Sequence, residues 1–412
     1  MKPIQRVEVS VPAQWIRPTL VRKVLADPGV KMAGVPTTPQ TSLAQLHEAG
    51  VSIWLDTLSR ELLDSGRFSQ LIHDYAVTGV TSNPTIFAKA LTESDRYDAQ
   101  LGELYRFGQH DLQELFFALA LDDVRRAARA LRPVYDRSQG RDGFVSFECT
   151  PDLADDPHAT VVQALDLWHR LDEPNVMIKV PATEAGVVAI EGLTRLGVNV
   201  NATLLFSLER YEQIIDAFLR GLNARAGAGQ ELKGIVSVAS FFLSRIDTQS
   251  DVQLPEASPV RGRVALACAH LAYRMFRAKF AGPEWEWLLA QGAAPQLPLW
   301  ASTGTKNPAY SDVLYVEGLI GPEVINTMPE PTLDAFGDHG EVHATLGTED
   351  VAAEQTLAAA AAAGVDLDTI TRQLERAGVQ AFCDSYRQLL QAIESRLAGV
   401  GHPLPSELRA AA

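Results

Sequence analysis

Val176-Met177-Ile178-Lys179-Val180-Pro181 sets a lysine inside an otherwise apolar run of β-branched and aliphatic residues. Side chains in a strand alternate between faces, so Met177 and Lys179 point one way while Ile178 and Val180 point the other. Seven further short runs of similar character flank it. They are SIWLD (52–56), GVTSN (79–83), FVSFE (144–148), VNATLL (200–205), IVSVASFF (235–242), PLWAST (298–303) and VINTM (324–328). Longer amphipathic stretches such as LSRELLDSGRFSQLIHDYA and PHATVVQALDLWHRL separate most of them. Strands alternating with helical segments indicate parallel pairing through crossover helices. A count of eight predicts a closed α/β fold, the (β/α)8 TIM barrel, in preference to an open doubly wound sheet. In such a barrel the Ile/Val face meets the helices, and Lys179 points inward.

The barrel domain is expected over residues 42–412, with 346–412 as extra C-terminal helices packed on the barrel. The stretch TEDVAAEQTLAAAAAAG carries an Ala-rich helical body that stops at Gly364, and LDTITRQLERAGVQAFCDSYRQLLQAIESRL follows it. Residues 1–41 are rich in Pro and Val and show no period, which reads as an N-terminal extension without a packed core. Met32 lies close to the first helical pattern and is an alternative start.

A formal charge of −15 over 412 residues argues against a nucleic acid partner, because a phosphate backbone needs a basic footprint. Three cysteines, Cys149, Cys268 and Cys383, show no C-x-x-C spacing and suit a reducing cytoplasm. Neither a membrane-length apolar run nor a signal-peptide h-region is present in the sequence, so a soluble cytoplasmic protein without membrane partners is expected.

Of eight lysines, Lys179 alone is embedded in an apolar strand. A buried ammonium is costly, and the neutral amine that burial favours is a nucleophile toward carbonyls. A structural ion pair inside the barrel explains the same lysine without chemistry. The other strands supply company for it. Asp56 follows Trp54 on one face, Ser146 and Glu148 share a face, and so do Thr81 with Asn83 and Asn201 with Thr203. All lie near C-terminal strand ends, where barrel active sites are built. An amine among carboxylates and hydroxyls meets the needs of imine chemistry, which shuttles protons at several steps. Ser240 near the end of the sixth run, Arg245 just beyond it and Lys306 in STGTKNP form a possible anion site, because barrel phosphate sites use the loops after late strands. The plain alternative for Arg245 is a surface pair with Asp247. His339 and His343 have i, i+4 spacing, but HGEVH lacks the ligand pattern of a zinc helix, so no metal site is expected.

The stretches WLDTLSRELLDSG, GVTSNPTIF, IKVPAT, NVNATLLFSLERY, SVASFFLSRID and LWASTGTKNPAYSDVLYVEGLIGPEVINTMPEPT resemble the transaldolase family, in its longer bacterial subfamily, over about residues 43 to 395. The resemblance implies that Lys179 forms a Schiff base and that Asp56 acts as acid/base on the substrate hydroxyl. It implies that Glu148 and Thr203 hold the water used in imine formation. Asn83 and Asn201, with Thr81 beside them, would bind the hydroxyls of a dihydroxyacetone unit, and Ser240, Arg245 and Lys306 would contact phosphate. Phe242 stands where related fructose 6-phosphate aldolases tend to carry Tyr, and a Phe cannot protonate a bound fragment, which implies transfer over release. The implied reaction moves a dihydroxyacetone unit from sedoheptulose 7-phosphate to glyceraldehyde 3-phosphate in the non-oxidative pentose phosphate pathway. Sugar phosphates would be its partners, in a monomer or homodimer, with no metal or organic cofactor, since the iminium itself polarises the substrate. A metal-dependent aldolase and a non-enzymatic sugar-phosphate-binding barrel are the rival readings.

Overall fold

The expected alternation of strand faces appears in the computed structural model as eight parallel strands closed in chain order, β1 through β8. They are β1 Val51–Leu55, β2 Val77–Thr81, β3 Val145–Glu148, β4 Val176–Pro181, β5 Val200–Leu205, β6 Ser237–Phe242, β7 Gln296–Ala301 and β8 Val324–Met328. The barrel closes where β1 pairs with β8 in continuous register from Val51↔Val324 to Leu55↔Met328. Residues 41–399 are described in the structure; the expectations for residues 1–40 and for a start at Met32 lie outside them.

Residues facing outward along the strands, among them Ile53, Val145, Ile178, Val180, Val200, Ala202 and Phe241, join the main apolar core against the surrounding helices. Inward-facing residues divide into two tiers. Trp54, Phe144, Met177, Val236, Val238, Leu299 and Ile325 form a separate apolar cluster that fills the barrel. Polar and charged side chains occupy the C-terminal half above this plug. Filling of one half is what makes the other half a floored cavity instead of a pore.

Gly79 on β2 makes room for the plug. A Cβ at this position would lie 2.4 Å from the Trp54 indole, whose nitrogen donates to Asp142 Oδ1 at 2.9 Å. Glycine is therefore required by a close approach, not by backbone conformation.

The strands β2 and β7 end two residues sooner than in the sequence reading: PLWAST was expected to run through Thr303, but β7 stops at Ala301. GVTSN was expected to run as strand through Asn83, but β2 stops at Thr81, and Asn83 caps the helix Pro84–Glu93. The Asn83 side chain accepts from the Ile86 amide at 3.0 Å, and Pro84, with no amide proton to contribute to a ladder, occupies the first helical turn. Along β5, pairing with β6 is irregular between Ala202 and Leu205, and Leu204 adopts a left-handed φ of 60°. Such an irregularity re-aims side chains at the rim of a sheet.

The C-terminal segment forms the helices Asp350–Ala362 and Leu367–Gly399. The second is held to the barrel helices by Thr85 Oγ1 to Ser385 Oγ at 2.7 Å, an Arg210–Glu375 ion pair at 3.5 Å and an Arg396–Asp98 pair at 2.7 Å. Gly378 lets its backbone approach the Leu204 side chain, where an added Cβ would sit 3.1 Å from a methyl carbon. This helix thus presses on the irregular end of β5, beside Thr203.

Replacing Gly79 with Ala forces the Trp54 indole to move against a filled interior. The expected loss is about 1–3 kcal/mol of stability, the range for an overpacked core, read by chemical denaturation with the slope unchanged.

Candidate active site

Lys179 sits on β4 with 4% of its surface exposed. Its ammonium donates to the Ser82 carbonyl at 2.9 Å and lies 3.3 Å from Glu148 Oε2 on the adjoining strand β3, where Glu148↔Lys179 are register partners. The Ser82 carbonyl is available because the chain leaves β2 one residue earlier and turns into the Asn83-capped helix. The carboxylate contact is close enough for charge pairing but is not aligned as a hydrogen bond. Both Glu148 oxygens and the Thr203 hydroxyl lack a hydrogen-bond partner among the described residues, although all three are buried. Orphaned buried oxygens carry a desolvation cost, and in native structures such groups concentrate where chemistry or an ordered ligand uses them.

Asp56 emerges just past the end of β1. Its amide donates to the Met328 carbonyl of β8 at 2.8 Å, which fixes the backbone, and Thr81 Oγ1 donates to its Oδ1 at 3.0 Å. Burial pushes the Asp56 carboxyl above the usual carboxylate range, while the charge of Lys179, the Thr81 hydrogen bond, Lys306 and Arg245 pull in the opposite direction. Glu148 is likewise raised by burial, opposed by Lys179 and reinforced by the charge of Asp56. Two carboxyl groups thus share one ammonium inside a floored cavity, and each resists ionisation for the same physical reason.

Asn201 faces the same cavity. Its amide nitrogen donates to Ser146 Oγ at 3.1 Å, and its oxygen accepts from Ser240 Oγ at 2.7 Å. This chain across β3, β5 and β6 fixes which way the amide points. Ser240 is buried at the height of Asn201, with its proton committed to that bond.

Arg245 lies in the first turn of the helix Ser244–Gln253, half-buried, with its guanidinium carbon 5.9 Å from the centre of the Phe242 ring. Phe242 in turn packs on Phe206 with ring centres 5.4 Å apart. Burial lowers the Arg245 pKa, with the charge of Asp56 opposing it. Asp247 is not its partner. That carboxylate accepts from Tyr315 at 2.7 Å and from the Ala265 amide at 2.8 Å, and burial pushes its pKa up to about 6. Lys306 is exposed on the loop after β7, beside Ser244, Asp247 and Tyr310. Neither Arg245 nor Lys306 has an ion-pair partner among the described residues. Two cations left without protein counter-ions near one barrel mouth create a local positive field in a chain that is acidic overall.

Lys179, Asp56, Glu148, Thr81, Asn201, Thr203 and Ser240 therefore converge inside the barrel; Phe242 ends β6, and Asn83, Arg245 and Lys306 occupy the segments leaving the strands. The sequence reading had left Ser82 and Thr327 without a part. A backbone carbonyl carries no signal in residue type, and Thr327 Oγ1 meets Thr81 Oγ1 at 3.0 Å only because β8 closes on β1.

The fold and site define a (β/α)8 barrel with a buried amine beside Glu148 and within electrostatic reach of Asp56. A family model described as Transaldolase/Fructose-6-phosphate aldolase matches residues 53–393. A transaldolase of Frankia alni is 46% identical over 365 residues, covering 87% of this chain and 98% of the relative. A transaldolase of Acidothermus cellulolyticus is 47% identical over 360 residues, covering 86% and 96% respectively. One from Mycolicibacterium smegmatis is 45% identical over 362 residues, covering 86% and 97%. The chain belongs to the transaldolase/fructose-6-phosphate aldolase family, on its transaldolase side, and is an enzyme. No helix among the described residues is long and apolar enough to cross a membrane.

Because burial is the largest influence on Asp56 and raises its pKa, a step that needs this carboxylate ionised fails on acidification earlier than a solvent-exposed aspartate would. The acid limb of kcat/KM is expected above the ordinary value of about 3.9 for aspartate. Rate measurements between pH 4 and 9 check this; a limb at the ordinary aspartate value contradicts it.

Proposed function

We propose that this enzyme transfers a dihydroxyacetone unit from sedoheptulose 7-phosphate to glyceraldehyde 3-phosphate, through a Schiff base on Lys179, giving erythrose 4-phosphate and fructose 6-phosphate. The non-oxidative pentose phosphate pathway in the cytoplasm is its proposed setting. The observation that carries the reading is Lys179 itself: among the described lysines it alone is buried, and it lies 3.3 Å from Glu148 inside the barrel.

The amine attacks the donor carbonyl carbon, and the resulting carbinolamine loses water to an iminium. That loss needs a proton delivered to the departing hydroxyl, and Glu148, raised by burial, is suited to carry one through a water shared with Thr203. Asp56 takes the proton of the C4 hydroxyl. The C3–C4 bond then breaks, its electron pair moves into the iminium to form an enamine, and the aldose leaves. Addition of the enamine to the acceptor aldehyde, with Asp56 returning the proton, and hydrolysis of the new iminium complete the transfer. Asn201, with its amide oriented by Ser146 and Ser240, and Asn83 serve the hydroxyls of the three-carbon unit. Arg245 and Lys306 serve the substrate phosphate, consistent with their lack of protein counter-ions. Phe242 walls the cavity without supplying a proton, which favours retention of the fragment over its release by an aldolase route.

Borohydride reduction in the presence of fructose 6-phosphate should leave a three-carbon adduct on Lys179, located by peptide mass spectrometry. No adduct, or one on another lysine, refutes the mechanism. Donor-only incubation separates transfer from aldol cleavage, since substantial free dihydroxyacetone would mark an aldolase.

Replacing Arg245 or Lys306 with Ala removes a charged contact worth roughly 1.5–3 kcal/mol, so KM for the phosphorylated acceptor should rise about tenfold or more. Steady-state kinetics decide it, and an unchanged KM in both variants rules out the phosphate role.

A further inference from the structure

The hydroxyls around Asp56 form a chain with a fixed direction. An ionised carboxylate can only accept, so the single proton of Thr81 Oγ1 is the one donated to Asp56 Oδ1 at 3.0 Å. The 3.0 Å contact between Thr81 Oγ1 and Thr327 Oγ1 must then be made by the proton of Thr327. Thr327 donates to Thr81, and Thr81 donates to Asp56.

Thr327 is itself held firmly. It lies on β8 opposite Trp54 of β1, and its carbonyl accepts from Thr303 Oγ1 at 2.9 Å. The next residue, Met328, accepts the Asp56 amide at 2.8 Å. The end of β8 therefore constrains Asp56 twice, through its backbone and, by way of two hydroxyls, through its carboxylate. Thr81 is 3% exposed and Thr327 is 2% exposed, so neither bond is exchanged freely with bulk water and Thr327 offers no surface to a substrate.

We propose that Thr327 is a positioning residue for the reaction, aligning the Asp56 carboxylate through the hydroxyl of Thr81. The inference rests on the acid/base role proposed above for Asp56. Its physical basis is that a threonine hydroxyl rotates unless something fixes it, and Thr327 supplies the second contact that keeps the Thr81 proton aimed at Asp56. The same geometry favours the ionised form of Asp56, since a donor aimed at a carboxylate stabilises its charge. The charged groups that act on Asp56 are Lys179 of β4, Glu148 of β3, Arg245 of the helix Ser244–Gln253 and Lys306 of the loop after β7. None of these is altered by a change at Thr327.

Thr327→Val keeps the side-chain shape and removes the proton. Thr81 then turns more freely, and Asp56 loses part of a bond to its charged form. The acid limb of kcat should move to higher pH by about half a unit to one unit, and kcat at neutral pH should fall about tenfold with little change in KM. Thr327→Ser, which restores a hydroxyl, should recover the wild-type profile. Borohydride trapping of added free dihydroxyacetone on Lys179 should persist in both variants, since that adduct, unlike the three-carbon adduct from fructose 6-phosphate, forms without breaking a C–C bond.

An unchanged pH profile and kcat in Thr327→Val overturns the proposal, as does a Ser variant as impaired as the Val variant, which would indicate packing alone. If Thr327→Val does not fold by circular dichroism, Thr327→Cys, similar in size and a weaker donor, carries the same comparison against Ser. A wild-type enzyme that fails to trap dihydroxyacetone on Lys179 refutes the Schiff-base reading. A shifted acid limb in the Val variant would then still support the link from Thr327 to Asp56.

Discussion

An ammonium held inside a protein between a carbonyl and a carboxylate is the constraint around which this barrel is organised. Lys179 reaches the Ser82 carbonyl at 2.9 Å and Glu148 at 3.3 Å. Burying such a pair seldom stabilises a fold, because the desolvation of both ions offsets their attraction. An apolar pair of similar volume would hold β3 and β4 together equally well. The surroundings bear the cost in several ways. The barrel floor is sealed by Trp54 and its neighbours, the turn at Ser82-Asn83-Pro84 leaves a carbonyl free, and the neighbouring carboxyl groups are raised by burial.

The electrostatics of the cavity follow from that arrangement. Asp56 and Glu148 are each raised chiefly by desolvation and each restrained by the same lysine, so the charge state of one bears on the other. Arg245 and Lys306 add positive potential from outside the strands without neutralising either carboxylate by direct contact. Uncharged groups do the orienting. Ser146 and Ser240 set the Asn201 amide, and Thr81 with Thr327 sets the Asp56 carboxylate. Such groups aim side chains without adding charge to a space where charge is expensive.

The C-terminal helix Leu367–Gly399 adds a tertiary influence on one strand end. Its Gly378 approaches Leu204, which carries a left-handed backbone at the irregular end of β5. Thr203 is the residue immediately before, so this helix, contributed from far along the chain, packs beside the strand end that carries its hydroxyl.

The sequence by itself determined the eight-strand alternation, the inward direction of Lys179, Glu148, Asn201 and Ser240, and the grouping of polar residues at strand ends. These follow from the two-residue period of a strand and from the cost of a lysine in an apolar run, both of which are local properties. Tertiary structure alone decided which groups meet across the barrel. The Ser82 carbonyl under the ammonium, the Thr327–Thr81–Asp56 chain and the bond from the Asp56 amide to the Met328 carbonyl all depend on the turn after β2 or on the closure of β8 against β1. Residue type at a strand end reports which face a side chain takes. It carries no record of which distant strand will close beside it, because ring closure is a property of all eight strands together.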